Sequence, residues 1–376
     1  MPAAAPSTLK RASAGCATCH IRVVLELDGP VAARFSKGVH PISARTIGLP
    51  RKETAGDNCL PCHAREYEQW RSSPHGRAFV NPLFTAAVRR DRNAWCVNCH
   101  APLWQPAQEK LDDVIDGRNQ RALHREGVNC AVCHVRNGKI YGRRSMPDDS
   151  RSFHAVYKDP EMSSERFCAG CHQFNFVKDS DPFIQFEKSP AMQNTIQEHR
   201  GTFAHAGGMT CRSCHFKNGD HSLHGTAADD MRKQIQVAFE LKRSRPTEGP
   251  FRLKARVRIT NLGHAFPTGD LFRVFSLYAY DARGRELLKY DFRKEMRVVD
   301  RFLIKDTTLK PKPGKLHAGR ELTFALRDRP TRCLAVYRLQ GGVEPELMHE
   351  LPLSILRRKY YDGPCDSNGF RTWKGD

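Results

Sequence analysis

The sequence predicts two domains of different architecture: a mostly helical or irregular domain over residues 1–230, packed around prosthetic groups, and an antiparallel β-sandwich over residues 231–376. The first observation behind this is a Cys-x-x-Cys-His motif that occurs six times, always before residue 216. The second is a change after residue 231, where apolar and polar residues begin to alternate. The third is a hydrophobic content of 39%, which is low for 376 residues and leaves part of the interior for something other than side chains.

The six motifs are the strongest signal in the chain. Random placement of 14 cysteines and 17 histidines predicts about 0.02 such matches. Cys-x-x-Cys-His is the attachment signature of c-type haem, in which both cysteines form thioethers with the haem vinyl groups and the adjacent histidine binds the iron. Structural zinc or disulfides are the alternative, but neither needs a histidine directly after every second cysteine.

The sequence therefore predicts six haem c groups. Their attachment sites are Cys16, Cys19, Cys59, Cys62, Cys96, Cys99, Cys130, Cys133, Cys168, Cys171, Cys211 and Cys214, and the proximal iron ligands are His20, His63, His100, His134, His172 and His215. Successive motifs begin 43, 37, 34, 38 and 43 residues apart, which leaves little chain for an ordinary core. We expect a haem-packed multihaem cytochrome domain, in which neighbouring irons lie close enough to relay electrons.

A second axial ligand decides what each iron can do. A second histidine makes the iron low-spin and suited to electron transfer, whereas an open position permits substrate chemistry. Eleven histidines remain after the proximal set, enough to close all six sites. The predicted distal ligands are His40, His75, His124, His154, His224 and His264, with His199 and His205 in reserve. His221 and His224 share one short segment, and only one of the two is expected to ligate. A solvent-exposed role is the alternative for any of these histidines.

The segment around His75 predicts a local structure and a repeat. In WRSSPHGRAF (70–79), Ser-Pro is expected to begin a helix that holds the ring. EYEQWRSSPH (66–75) also aligns with FIQFEKSPA (183–191), which predicts a duplicated haem–helix–haem unit with Ala191 at the position of His75. A coincidental Ser-Pro helix start is the alternative.

The C-terminal part predicts strands and one disulfide. Alternating runs occur at 235–243, 251–260, 274–292 (a hairpin), 321–328 and 333–339, a pattern typical of a β-sandwich. It contains no Gly-x-Ser-x-Gly, phosphate loop or His-Glu-x-x-His motif. The two cysteines outside the motifs, Cys333 and Cys365, are expected to form a disulfide, with two separate buried thiols as the alternative.

Charge and the chain's start indicate location and partners. No apolar run approaches the roughly 18 residues of a membrane span. Because bacteria attach haem covalently outside the cytoplasm, we expect a periplasmic or extracellular protein whose signal peptide has been removed from this numbering. The formal net charge of +20 suits an acidic redox partner or an anionic surface, although lysines and arginines could instead neutralise haem propionates. No nucleic-acid motif is present.

Several segments resemble known multihaem cytochromes c. ERFCAGCHQF (165–174), MTCRSCHFKNGDHSLHG (209–225) and NLGHAFPTG (261–269) resemble a class whose haem region is followed by an Ig-like β-domain opening with Gly-His-x-Phe-Pro-Thr-Gly. WRSSPHGRAF and EGVNCAVCH (126–134) resemble the tetrahaem cytochrome that accepts electrons from hydroxylamine oxidoreductase. The resemblance implies that His264 is a haem ligand supplied by the β-domain. This sequence departs from that class at Ala191, which stands where a histidine aligns, and in having the extra histidines His199 and His205.

These observations favour an electron-transfer protein that relays electrons between extracytoplasmic redox partners. One alternative is an oxidoreductase with one open-site haem acting on a small nitrogen or sulfur compound. Related nitrite reductases often use Cys-x-x-Cys-Lys at the catalytic haem, whereas every motif here ends in histidine, so we expect a carrier rather than a catalyst and name no catalytic residue. The other alternative is a subunit of an extracellular cytochrome filament, formed by self-association.

Overall fold

The computed structural model describes residues 55–92, 94–103, 110–118, 123–136, 139–147, 154–175, 177–178, 181–185, 191–226, 228–243, 250–270, 272–297, 302–339 and 357–366. The first haem motif (16–20) and His40 lie outside these residues. The chain forms two compact units, Met1–Phe186 with Thr210–His224, and Glu187–Met209 with Gly225–Asp376. The sequence-based division at 230/231 does not anticipate that Glu187–Met209 belongs with the C-terminal unit.

Short helices dominate the N-terminal unit, and four of them end on the histidine of a haem motif. The described helices are α1 (Ala64–Ser72), α2 (Pro82–Asp91), α3 (Ala94–His100), α4 (Leu111–Ile115), α5 (Cys130–His134), α6 (Glu165–His172), α7 (Thr195–Arg200), α8 (Phe203–Ala206), α9 (Cys211–His215) and α10 (Ala228–Gln234). Of these, α7, α8 and α10 belong to the C-terminal unit. In α3, α5, α6 and α9 the helical turn places the two cysteines, three residues apart, on one side. None of the described helices is long and apolar enough to cross a membrane.

The described strands are short before residue 195, and most of those after it are longer. They are β1 (Val135–Arg136), β2 (Lys139–Gly142), β3 (Val156–Lys158), β4 (Gln173–Asn175), β5 (Val177–Lys178), β6 (Asp181–Gln185), β7 (Ala191–Asn194), β8 (Ile235–Arg243), β9 (Phe251–Thr260), β10 (Arg273–Tyr280), β11 (Glu286–Phe292), β12 (Lys294–Arg297), β13 (Phe302–Asp306), β14 (His317–Leu326), β15 (Arg332–Leu339) and β16 (Arg357–Pro364). In the N-terminal unit, β2 pairs antiparallel with β1 and parallel with β3, and β5 pairs with β6.

Two local predictions are wrong. No helix begins at Ser73: α1 ends at Ser72, and Ser73 is extended with ψ of 163°, as the steric demand of the following proline favours. The described part of the proposed second copy does not form the matching helix either. Residues 181–185 form β6, which pairs with β5, where the repeat predicts helix.

The C-terminal unit is an antiparallel β-structure, and the alternating runs predict its strands well. β8 and β9 have the predicted bounds, and β10 with β11 forms the predicted hairpin. The strand orders are β14-β9-β8 in one sheet and β11-β10-β15-β16 in another, with β12 and β13 as a separate pair. Every second residue of β9 from Leu253 to Ile259 is buried, as a strand with one face toward a core requires.

Both larger sheets contribute to one hydrophobic core. Phe239 and Leu253 come from the three-stranded sheet, and Phe275, Leu277 and Phe292 come from the four-stranded sheet; all five are fully buried. Burying a side chain of this size contributes about 1.5–3 kcal/mol. The C-terminal unit therefore has an ordinary apolar core of its own, whereas the sequence predicts that prosthetic groups fill the N-terminal domain.

The predicted disulfide is confirmed. Cys333 on β15 is bonded to Cys365, which follows β16, with a Cα–Cα distance of 4.9 Å. Both residues belong to the apolar core and are buried. The bond closes a loop of 32 residues and fixes the last described strand to the middle of its sheet.

Replacing both cysteines by alanine is expected to lower the free energy of unfolding of the C-terminal unit by about 2–4 kcal/mol, because the unfolded chain regains the entropy of the open loop. Denaturant unfolding followed by far-UV circular dichroism measures this. A thiol titration of the unreduced, denatured protein is the direct check, and two reactive thiols would contradict the bond.

Candidate haem-binding sites

Three histidine pairs in the N-terminal unit share one geometry. His63 faces His154, His75 faces His172, and His134 faces His221. Their ring centres lie 6.2, 6.3 and 6.1 Å apart, with interplanar angles of 37°, 36° and 37°. In each pair one ring belongs to a haem motif and the other comes from elsewhere in the chain. Each pair therefore combines a predicted proximal ligand with a histidine that can serve as a distal ligand.

This geometry fits two imidazoles bound to opposite sides of one iron. A first-row metal lies about 2 Å from an imidazole nitrogen, and the ring centre lies about 1.2 Å behind that nitrogen, so trans ligands place their ring centres about 6.3 Å apart. The pair His199 and His205 has a different geometry, with ring centres 5.4 Å apart and perpendicular rings. The residues present thus fit a bis-histidine haem at three sites.

Backbone carbonyls determine which ring nitrogen is available to a metal. His134 Nδ1 lies 2.8 Å from the carbonyl oxygen of Tyr141, and His221 Nδ1 lies 2.8 Å from that of Gly219. A carbonyl can only accept, so Nδ1 carries the proton and Nε2 keeps its lone pair. His100 is held in the same way by the carbonyl of Ala78 at 2.9 Å. Such an outer hydrogen bond is characteristic of metal-binding histidines.

Burial favours the neutral form of three candidate imidazoles, and the neutral form is the one that binds a metal. The pKa of His75 is lowered to about 3, chiefly because desolvation disfavours the imidazolium ion and secondarily because other imidazoles surround it. Desolvation also lowers the pKa values of His134 and His215, against the opposing effect of their hydrogen bonds to carbonyls. At neutral pH all three rings are ready to bind iron without first losing a proton.

A polar network joins the second motif to the fourth. The Glu126 carboxylate accepts from the backbone N–H of Gly56 and from the Asn129 side chain, both at 2.8 Å. The Asn129 oxygen in turn accepts from the N–H groups that open α5, and thereby caps the helix of the fourth motif. The Trp70 indole N–H donates to the carbonyl of Val128 at 2.8 Å. These bonds connect the turn before Cys59 with the segment that leads into α5.

Two glycines enclose the backbone of His75. A Cβ added to Gly76 would lie 2.3 Å from the Trp70 carbonyl oxygen. A Cβ added to Gly127 would lie 2.4 Å from the carbonyl oxygen of His75. That same oxygen accepts from the N–H groups of Ala78 and Val128. The chain thus reverses tightly beneath α1, and the position of the His75 ring depends on these close backbone contacts.

Cysteines of different motifs approach one another. Cys59 interacts with Cys130, Cys99 with Cys171, and Cys168 with Cys211. The contact and burial together raise the pKa values of Cys99 and Cys168 well above the usual range. The second motif therefore lies beside the fourth, the third beside the fifth, and the fifth beside the sixth. Groups attached at these motifs would be near neighbours.

Residues 58–135 match a family model described as cytochrome c554 and c-prime. The matched range contains the second, third and fourth motifs, and also His75 and the Glu126–Asn129 network. The match supports a relationship to multihaem cytochromes c, an electron-transfer function and haem c as the cofactor. No curated protein and no solved structure matches the chain significantly.

The structure differs from the sequence-based choice at one candidate distal ligand. Between the two histidines of 220–225, the sequence-based choice is His224, but His221 is the ring that faces His134. The Nε2 atom of His224 lies 3.0 Å from the Asp220 carboxylate, and the backbone carbonyl of His224 accepts from His215 Nδ1 at 2.8 Å. His224 thus supports a proximal histidine through its backbone. His124 lies in a 3-10 segment, Leu123–Glu126, and its side chain is outside the described residues.

In the C-terminal unit, the turn that carries His264 is bound to two helices. Thr268 hydrogen-bonds to Thr195 at 2.9 Å and donates to the Glu198 carboxylate at 2.6 Å. The Thr202 hydroxyl contacts the carbonyl of Gly263 at 3.3 Å. Glu198 also forms a buried ion pair with Lys294. α7 and α8 thus hold the turn in place, and the His264 Nδ1 atom lies 2.9 Å from the carbonyl of Ala265.

Sequence reasoning did not identify the network of Trp70, Glu126 and Asn129. One part of the network could have been predicted, because an asparagine directly before Cys130 is a favourable N-cap for a helix that begins at this cysteine. The contacts of Glu126 with Gly56 and of Trp70 with Val128 span 70 and 58 residues, and no local pattern predicts contacts at such separations.

Proposed function

We propose that this protein is an extracytoplasmic electron-transfer protein that relays electrons through six covalently bound c-type haems. The observation that supports this best is the set of three histidine pairs, whose ring separations match trans ligation of iron. Haem supplies the one-electron chemistry, and the protein sets its position and its potential. If each pair held one haem iron, its two imidazoles would leave no position at that iron for a substrate, which suits a carrier.

The remaining assignments are part of the same proposal. His221 takes the place of His224 as the distal partner of His134, and His154 and His75 are the distal partners of His63 and His172. The first, third and sixth haems would draw on His40, His124 and His264, with His199 and His205 in reserve. The two C-terminal sheets around one core would form an Ig-like β-sandwich, and the mature protein would be periplasmic or extracellular.

Intact mass and electron paramagnetic resonance test the proposal. The mass of the matured protein should exceed that of the polypeptide by six haem units, and at least three haems should be low-spin. Fewer than six haems would contradict the role of one motif. A dominant high-spin ferric signal together with turnover of nitrite or hydroxylamine would favour the oxidoreductase alternative instead. Polymerisation that rises with concentration would favour the filament.

His264→Ala is expected to convert one low-spin haem to high-spin and to let that haem bind carbon monoxide when reduced. The reason is that a site losing its second imidazole gains an open position. Optical spectra of the reduced protein with and without carbon monoxide measure this. His199→Ala and His205→Ala are the comparison variants. An unchanged spectrum for His264→Ala, with a high-spin haem in either comparison variant, would assign the ligand to that residue instead.

A further inference from the structure

The small sheet formed by β1, β2 and β3 exposes large apolar side chains. Tyr157 on β3 is 42% exposed, and Met146, whose backbone bonds to Val156, is 50% exposed. Tyr141 and Tyr157 are paired in register, and their rings lie 5.9 Å apart on one face. Exposed apolar groups in one place indicate an interaction surface when polar residues surround them.

Cationic side chains surround this apolar centre. The Lys139 ammonium lies 4.8 Å from the centre of the Tyr157 ring. Arg143, Arg144 and Lys158 are exposed, and none of them forms an ion pair with any residue that the structure describes. Over 139–158 the sequence has five lysines and arginines against two aspartates. The surface is therefore basic at its rim and apolar at its centre. We call it the basic sheet surface, defined by Lys139–Gly142, Arg143, Arg144, Met146 and Val156–Lys158.

The basic sheet surface is connected by short stretches of backbone to the ligands of two candidate sites. The carbonyl of Tyr141, on β2, accepts from Nδ1 of His134, the proximal ligand at the fourth motif. His154, which faces His63, precedes β3 by two residues. A partner that docks on this sheet would come close to two irons without any rearrangement of the chain.

We propose that the basic sheet surface is the docking site for an acidic redox protein, which exchanges one electron with the His134–His221 site. This proposal rests on the proposed electron-transfer function and adds where the partner binds. In the forward step the reduced partner loses one electron and a ferric iron of this chain becomes ferrous, with no bond or proton transferred. Positive charge at the rim would steer an acidic partner, and the small apolar centre suits a short-lived complex that must dissociate after transfer.

The test uses the haem-loaded protein and a plant-type [2Fe–2S] ferredoxin as an acidic probe. The first double variant, Arg143→Glu with Arg144→Glu, reverses two charges. The second, Arg143→Gln with Arg144→Gln, only removes them. The matched control is Arg327→Glu with Arg329→Glu, which changes the charge equally at two exposed arginines between β14 and β15. Stopped-flow absorbance gives the rate of reduction by ferredoxin relative to dithionite. Isothermal titration calorimetry with oxidised ferredoxin measures binding without electron transfer.

At about 0.01 M ionic strength, the charge reversal should lower the relative rate and the affinity about tenfold or more, and the glutamine variant should lie between. The control should match the parent protein, and at about 1 M salt all four proteins should converge. Equal losses in the control, or a parent rate independent of salt, would overturn the docking site while leaving low-spin haems and reduction by dithionite intact. If the charge-reversal variant no longer binds phosphatidylserine vesicles but is reduced by ferredoxin as fast as the parent protein, the proposed docking site would also be overturned, in favour of a membrane surface. Failure of dithionite to reduce the haems would instead contradict the proposed function.

Discussion

His221→Ala is expected to convert one haem from low-spin to high-spin, whereas His224→Ala is expected to leave the number of low-spin haems unchanged. The two histidines are three residues apart, yet only His221 has its ring opposite His134. His224 supports His215 through its backbone carbonyl, and alanine keeps that carbonyl. Loss of the His224 ring removes its half-exposed contact with Asp220, which contributes about 0–1 kcal/mol.

Electron paramagnetic resonance of the oxidised variants gives the spin count, and carbon monoxide binding to the reduced variants confirms an open position. His221→Met is a further test, because methionine should restore a low-spin iron and raise its potential relative to histidine. The opposite pattern, a high-spin haem in His224→Ala and none in His221→Ala, would return the distal role to His224.

The strands of the C-terminal unit could be predicted because their information is local. In β9, apolar and polar side chains alternate over ten residues, and in β8 they alternate except at Ala238 and Arg243; a period of two requires one buried face. β16 could not be predicted in this way. Its sequence, RRKYYDGP, is strongly polar, and it is a strand because it pairs with β15 and because the Cys333–Cys365 bond fixes its end.

In the candidate sites, too, features that depend on local sequence could be predicted and features that depend on long-range contacts could not. The candidate attachment cysteines and proximal histidines are predicted from sequence alone, because one helical turn contains the whole motif. His75 and His154 are also on the sequence-based list of distal candidates, but the motif histidine that each one faces cannot be read from sequence, since His154 and His63 are far apart in the chain and His75 meets His172 across an even longer separation. The choice between His221 and His224 depends on the direction of the chain, which turns through left-handed conformations at Asn218 and Leu223. Neither residue type signals such a turn strongly, leucine least of all.

Gly127→Ala is expected to displace His75 and to convert the His75–His172 site to high-spin. The added methyl group would meet the backbone carbonyl oxygen of His75 at 2.4 Å, a distance that no side-chain rotation can relieve. Either Val128 loses its hydrogen bond to that carbonyl, or the turn that carries His75 moves away from α1. A shift of a few tenths of an ångström would already weaken an iron–nitrogen bond about 2 Å long.

Gly117→Ala is the matched control. Both glycines have left-handed backbones, with φ of 61° at Gly127 and 72° at Gly117, so alanine costs about 1–2 kcal/mol of conformational energy at either position. They differ in what the methyl group meets, because nothing lies within 4 Å of the added Cβ at Gly117. The control should therefore lose stability but keep every haem low-spin. If both variants keep all haems low-spin, His75 is not a ligand. If both lose a low-spin haem, the effect arises from backbone strain alone and not from the contact with His75.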